Sequence, residues 1–418
     1  MRVPGDKSIS HRGLILAALA DGSSRIRGIL QSADIHSTAA ALRALGVALP
    51  EVTGEMVVEG VGLRGLRRAQ ANVECGNSGT TARLVAGIVA AIPARTRFTG
   101  DSSLSRRPMR RVAEPLSAMG ARIEMENGDG LPMIVHGGAL RTIEWTTETA
   151  SAQVKSAILL AALVAGVPVT VREPVRSRDH TERLLSAAGV SVMSAQGDAG
   201  ATVTLCEAER LAPLDLTVPG DPSSAAFFIA AGLLADGGEL TIPGVCVNGT
   251  RAGFLSAVRR MGGRLSIEDV ALRGGEPVGT VTTAPSQLTA IQIEGAEVPS
   301  MIDELPMLAC LATRAEGRTV IAGAGELRVK ESDRIRLVVE NLRAIGANAE
   351  ERSDGIVVQG SDRPLRGAIR TEGDHRIAMA FGVLSALHGG ALAIDDRDCV
   401  AVSFPSFWRD LERVTGVG

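Results

Sequence analysis

A sixfold internal repeat constrains this chain more than any other feature. Polar loops beginning near residues 3, 76, 151, 218, 303 and 373, with glycine in those at 3, 76, 218 and 373, each open onto an apolar run of helical length. VPGDKSISHRGLILAALADG at 3 and VPGDPSSAAFFIAAGLLADG at 218 are the same design. In each repeat a second, amphipathic run follows and stops at a glycine: Gly46, Gly120, Gly189, Gly262, Gly346 and Gly416, spaced 74, 69, 73, 84 and 70 residues apart. A glycine there predicts a helix C-terminus, where the chain turns at positive φ. Strand-like stretches come next, such as Arg122–Met125, Val190–Met193 and Gly355–Val358.

The first helix of each repeat is apolar nearly all round, which predicts burial at a domain centre, with the second helix outside. Val3–Pro4–Gly5 and Val218–Pro219–Gly220 are equivalent junctions, each opening a block of three repeats. The expected domains are 5–218 and 1–4 plus 219–418, in the α/β (α+β repeat) class, with the candidate site in the cleft between them. Buried helices running parallel would gather their polar N-terminal loops at one end, where unpaired N–H groups favour anions.

Length and composition agree with two globular domains: 418 residues, 45% hydrophobic and 22% charged. Net charge −3 and only 2% aromatics argue against nucleic-acid or anionic-membrane partners. Five scattered cysteines without C-x-x-C, and six histidines without metal spacing, predict neither disulfides nor a metal site. The longest uncharged apolar stretch, Ser156 to Val171, is too short for a bilayer, and no targeting segment precedes Pro4, so a cytoplasmic protein is expected. Of the 44 basic residues only Lys7, Lys155 and Lys330 are lysines. Such rare lysines mark candidate places where a compact, titratable ammonium is required.

The opening loops carry the chemistry. The first has Asp6, Lys7, Ser8, His11 and Arg12; the second has Asn77, Ser78, Thr80, Thr81 and Arg83, with Arg106, Arg107, Arg110 and Arg111 further on. The third has Ser151 and Gln153, then Ser177, Arg178, Asp179 and His180. The fifth has Asp303 and Glu304, then Arg328, Lys330, Glu331, Asp333 and Arg334, and the sixth has Asp374, His375 and Arg376. Cations, hydroxyls and amides in that density suit phosphates and carboxylates, and the acids among them suit proton transfer. Each run also has a plain structural reading. GNSGTT reads as a turn and helix N-cap, Arg106–Arg111 as a solvated helix start, KESDR as an ion-paired helix face, and His11 and His375 as hydrogen-bonded core residues. Together, at repeat-equivalent places, the loops favour the anion site. GDKS lacks the glycine spacing of a nucleotide P-loop.

In order along the chain, PGDKSISHR, GNSGTTAR, SRRPM, SAQVKSA, SRDHTE, DELP, RVKESDR and GDHRIAM resemble the motif set of the 5-enolpyruvylshikimate-3-phosphate synthases, also called 3-phosphoshikimate 1-carboxyvinyltransferases. The resemblance runs essentially end to end. It implies two domains of three βαβαββ units around buried parallel helices, an inside-out α/β barrel. It implies transfer of the enolpyruvyl group of phosphoenolpyruvate to the 5-hydroxyl of 3-phosphoshikimate, with phosphate leaving through a tetrahedral intermediate, on the route to chorismate and the aromatic amino acids. No cofactor and no metal are implied, the partners being the two small substrates; a monomer is expected.

By the same resemblance, Lys7 lies between both substrates and moves protons, with Ser8 and Arg12 on the shikimate part. Ser151, with Gln153 nearby, binds the 3-phosphate of 3-phosphoshikimate, and Arg178 reaches the same substrate. Gly79, Arg107, Arg334 and Arg376 line the phosphoenolpyruvate pocket, which Lys7 and Gln153 also touch. Asp303 accepts the 5-hydroxyl proton, Lys330 supports that substrate, and Glu331 serves the methylene carbon of phosphoenolpyruvate. Gly79 also suggests a glyphosate-sensitive pocket. Ala152, Glu326 and Ser403 depart from residues common in the family (Ser, Asn and Lys); for Lys155 a structural role is expected. The alternatives are the sister transferase acting on UDP-N-acetylglucosamine, disfavoured because residues 101–111 hold no Cys, and a non-catalytic anion-binding repeat scaffold. Finally, Pro-Leu strands precede the fourth and sixth loops but only Met1-Arg2-Val3 precedes the first, and the sixth repeat ends at Gly418. A frayed sheet edge is therefore expected at the N-terminus, against the sixth repeat.

Overall fold

The computed structural model describes residues 1–198, 200–387 and 392–416. The sixth motif's tail at His388–Gly390 and the C-terminal Gly418 named above lie outside the described residues. The chain divides into two compact lobes: Gly5–Val218 with Leu272–Glu276, and Met1–Pro4 with Pro219–Ala271 and Pro277–Gly418. The segment at 272–276 is the tip of a hairpin between strands Arg264–Arg273 and Glu276–Ala284, and nothing in the sequence flagged its grouping with the first lobe.

Two helices alternate through each repeat. The first-position helices are α1 (Lys7–Leu19), α3 (Gly79–Ala90), α5 (Ala152–Ala165), α7 (Pro222–Leu234), α9 (Leu305–Ala312) and α11 (His375–Leu387). Between them come α2 (Ala33–Ala44), α4 (Arg110–Met119), α6 (His180–Ala187), α8 (Gly253–Arg260), α10 (Arg334–Ala344) and α12 (Phe407–Thr415). The first-position helices are buried nearly all round: α5 is buried from Val154 through Leu163, and α7 from Pro222 through Leu233. Each large apolar side chain so buried contributes roughly 1.5–3 kcal/mol. Close approach needs glycine at Gly87 of α3, where a Cβ would lie 2.2 Å from the Ala157 carbonyl of α5. The second-position helices bury one face only, as α4 does with Val112, Ala113, Leu116 and Met119.

All six glycines that punctuate the repeats have positive φ, from +68° to +123°. At Gly189 the amide of the next residue, Val190, closes the helix end onto Leu185 O. The following strand therefore begins at Val192 and runs to Gly197, later than the Val190–Met193 expected. Arg122–Met125 is a strand as read, and Gly355–Gln359 extends its expected range by one residue.

Three sheets, in the second, third and fifth repeats, share one four-strand plan: a short parallel strand, then three antiparallel ones. In the first repeat, the strand Ser23–Arg27 takes its parallel neighbour from Asp215–Thr217, just ahead of the fourth loop. By the same plan the chain ahead of the first loop belongs beside strand Leu240–Cys246 of the fourth repeat. Met1 indeed donates its ammonium to Thr241 O at 2.7 Å. The expectation placed this edge against the sixth repeat and is corrected. Residues 1–4 form no strand, and strand Leu240–Cys246 meets Gly220 through a single bridge at Val245.

The second lobe concentrates its aromatics. Phe227 and Phe228 of α7 pack on Phe404 and Phe407, with ring centroids 5.7–6.0 Å apart, and Trp408 lies 4.9 Å from Phe407.

Candidate active site

In the first lobe the loops entering α1, α3 and α5 are tied together by side chains. Gly5 opens the first loop against Gly28, whose carbonyl a Cβ would meet at 2.0 Å. Asp6, Ser78 and Ser151 cap the three helices, accepting from Ile9 N, Thr81 N and Val154 N at 2.8, 3.2 and 3.4 Å. His11 Nδ1 lies 2.7 Å from Thr38 Oγ1, which lies 2.7 Å from Thr81 Oγ1. His11 is thus a core residue; burial, Lys7 and Arg12 hold it well below the usual imidazole range. GNSGTT is also the turn and N-cap of its structural reading.

Lys7, half-buried, lies 3.0 Å from Asp34 Oδ2 at the start of α2. Arg12 is buried and donates to Thr181 Oγ1 at 2.7 Å, Ser156 Oγ at 2.8 Å and Ser8 O at 3.0 Å. Burial pushes its guanidinium down to about 10, Glu182 and Asp6 oppose that, and Arg178 adds a like charge. Arg12 and Arg178 therefore lie close enough for like charge to act between them.

The second and third loops interlock. Arg83 donates to Gln153 Oε1 at 2.6 Å and to Pro108 O at 3.1 Å, while Gln153 donates to Thr80 Oγ1 at 2.9 Å. Arg107 is buried where Arg106 and Arg110 are exposed, and it donates to Asn77 Oδ1 at 2.6 Å and Ser103 Oγ at 3.1 Å. The solvated-start reading therefore holds for Arg106 and Arg110 but not for Arg107. Gly79, also buried, sits between both cations: a Cβ would lie 2.8 Å from Arg83 Nη1 and 3.5 Å from Arg107 Nη1.

The second lobe gathers Asp303, Glu331, Arg334 and Arg376. Arg334 opens α10 with its side chain 1% exposed. It grips Asp374 with two bonds, at 2.8 and 3.1 Å, reaches Glu331 Oε2 at 2.7 Å and meets Asp303 Oδ1 at 3.4 Å. Burial penalises the cation, yet Asp374, Glu331 and Asp303 together raise its pKa above the ordinary guanidinium value. Asp374 also accepts from Ser332 Oγ and from the amide of Arg376, at 2.9 Å each. Lys330 ends a short 3₁₀ turn, Gly325–Val329, ahead of α10. Within KESDR, Glu331 pairs with Arg334 at 2.7 Å and Asp333 pairs with Arg328 at 2.8 Å, so the run is ion-paired as its structural reading expected. In the fourth repeat Pro222 stands where Lys7 does, and the loop is tied to its neighbours: Asp221 accepts from Arg251 at 3.2 Å and Ser223 donates to Glu304 of the fifth loop.

Sequence reasoning missed Asp34, which holds Lys7, and Arg83 as the support of Gln153. It noticed Asp374 without its role of holding Arg334. Among the described residues no His, Cys, Asp and Glu cluster is arranged to hold a metal, and no helix is long and apolar enough to cross a membrane.

Comparison with known proteins gives the fold and then the family. The enolpyruvyl transferase NikO from Streptomyces tendae shares the fold at TM-score 0.74 and 20% identity over 99% of this chain and 94% of that one. EPSP synthase from Acinetobacter baumannii matches at TM-score 0.85 and 38% identity, over 100% and 95% of the two chains. The family model of EPSP synthase (3-phosphoshikimate 1-carboxyvinyltransferase) matches residues 1–411. The 3-phosphoshikimate 1-carboxyvinyltransferases of Sulfurihydrogenibium sp. and Solibacter usitatus are each 46% identical over 99% of this chain and 96% of their own. The chain belongs to the EPSP synthase family. It is a transferase of the shikimate pathway to the aromatic amino acids, carrying the enolpyruvyl group from phosphoenolpyruvate to 3-phosphoshikimate.

Proposed function

We propose that the transfer is an addition followed by an elimination. Asp303 takes the proton of the 5-hydroxyl as that oxygen bonds to C2 of phosphoenolpyruvate, while Glu331 supplies a proton to the methylene carbon. The tetrahedral intermediate then loses phosphate, and Glu331 recovers a proton from the new methyl group to leave the enol ether. Lys7 stabilises charge between the substrates and passes protons. Ser8, Arg12, Ser151, Gln153, Arg178 and Lys330 hold 3-phosphoshikimate, and Gly79, Arg107, Gln153, Arg334 and Arg376 receive phosphoenolpyruvate.

The observation that carries this reading is one guanidinium shared by both carboxylates: Arg334 lies 2.7 Å from Glu331 and 3.4 Å from Asp303. A guanidinium gives up no proton itself and keeps a neighbouring carboxylate ionised, ready to act as base. On binding, phosphoenolpyruvate would take over part of what Arg334 donates, freeing Glu331 to be protonated. The sister reaction on UDP-N-acetylglucosamine is disfavoured by the absence of Cys from 101–111. We take the working form to be a cytoplasmic monomer without nucleic-acid or membrane partners.

Turnover in D2O tests the two steps. Deuterium should enter the methylene of the product, because the transient methyl group can lose any of its hydrogens. Glu331→Gln should suppress both incorporation and turnover. Product free of deuterium from the unaltered enzyme would contradict the addition step.

A further inference from the structure

Lys155 is the one lysine outside the proposed site, and its ammonium is completely buried in α5, one turn beyond Ser151. It lies 2.8 Å from Glu173 Oε2 and 2.8 Å from Glu182 Oε1. Glu173 ends the strand Val169–Glu173 and Glu182 is in the first turn of α6, so the lysine clamps both ends of the intervening turn, 174–179. Glu173 also reaches into the turn: Ser177 donates to it by its hydroxyl at 2.6 Å and by its amide at 3.3 Å. On the other side Asp179 accepts from Arg176 and Arg183, each at 2.9 Å. Between these two anchored residues stands Arg178.

A buried ion cluster is weak evidence for added stability. Well-packed apolar side chains commonly serve as well as a buried ion pair, whereas fixed geometry is what a charged cluster can add. We propose that Lys155, through Glu173 and Ser177, is a positioning residue that holds Arg178 in register with Arg12 for the phosphate of 3-phosphoshikimate. The inference rests on Arg178 binding that substrate. Burial disfavours the ammonium, but Glu182 and Glu173 outweigh it and raise its pKa, so the clamp stays charged at neutral pH.

The test uses Ser177→Ala, Arg178→Ala, the double variant and Lys155→Met. Ser177→Ala cuts the tether without stranding a buried charge. It should raise KM for 3-phosphoshikimate ~3–10-fold, the net worth of one ordinary hydrogen bond, and leave KM for phosphoenolpyruvate within about twofold. Adding Ser177→Ala to Arg178→Ala should change nothing further, because both act through one guanidinium. Lys155→Met, where it folds, should show the same selective rise in KM; a purely structural lysine would lower Tm and the active fraction while KM stayed put. If Arg178→Ala weakens 3-phosphoshikimate but Ser177→Ala does not, the positioning role is overturned while the role of Arg178 stands. If Arg178→Ala has no effect, the site reading fails and this inference with it.

Discussion

Lys7 Nζ lies 3.0 Å from Asp34 Oδ2, a carboxylate 27 residues away on the next helix. The pair fixes the direction of the ammonium that the proposed mechanism sets against two anionic substrates. Lys7→Arg keeps the charge but cannot give up a proton, so kcat should fall by roughly 10²–10⁴. Asp34→Asn should cost less, about tenfold, by loosening the lysine rather than removing it. Steady-state kinetics of both variants check the order; near-normal turnover for Lys7→Arg would remove its acid–base role.

Asp303→Asn separates chemistry from binding. The amide cannot accept the hydroxyl proton, so kcat should fall by roughly 10²–10⁴. Calorimetric affinity for 3-phosphoshikimate should change by less than about threefold, that is by under about 0.7 kcal/mol. A large loss of affinity with turnover retained would make Asp303 a substrate clamp.

Gly79→Ala places a methyl 2.8 Å from Arg83 Nη1, which cannot stay there and still donate to Gln153. KM for phosphoenolpyruvate should rise. Glyphosate should inhibit the unaltered protein in competition with phosphoenolpyruvate, and Gly79→Ala should weaken that inhibition by a larger factor, since the bulkier ligand tolerates less intrusion. Inhibition constants for both proteins measure this; equal shifts would mean that the methyl acts only through Arg83.

Phe407 should be a stability hot spot. It is fully buried and touches Phe227, Phe228, Phe404 and Trp408. Phe407→Ala should cost about 3–5 kcal/mol in denaturant unfolding of the second lobe.

Thiol labelling should follow burial. Cys75, Cys246 and Cys310 are buried, and burial raises the Cys75 and Cys310 pKa values far above the usual thiol range. Cys399 is pushed up to about 12 by partial burial and four nearby aspartates. Under native conditions, mass spectrometry should find Cys206 labelled first and the three buried thiols only after unfolding.

The repeats were legible because their signals are local. An all-apolar run, a capping Asp or Ser ahead of it and a glycine of positive φ after the next helix lie within one module. The site loops were legible for the same reason, each sitting at a helix start. What stayed hidden was the pairing across modules. Asp34 holds Lys7 from 27 residues away and Asp374 holds Arg334 from 40, and only packing brings them together. Nor does any pattern in the 264–284 hairpin reveal that Glu276 ends buried 2.7 Å from His180. The N-terminal edge was assigned to the wrong repeat because sequence supplies strand order but not which neighbour a strand joins.

The most direct measurement is phosphate release from phosphoenolpyruvate with 3-phosphoshikimate or UDP-N-acetylglucosamine as acceptor, without added metal or cofactor. Phosphate should appear only with 3-phosphoshikimate, in equal amount to an enol ether at its 5-oxygen. Release with UDP-N-acetylglucosamine instead, or with neither acceptor, would contradict the account.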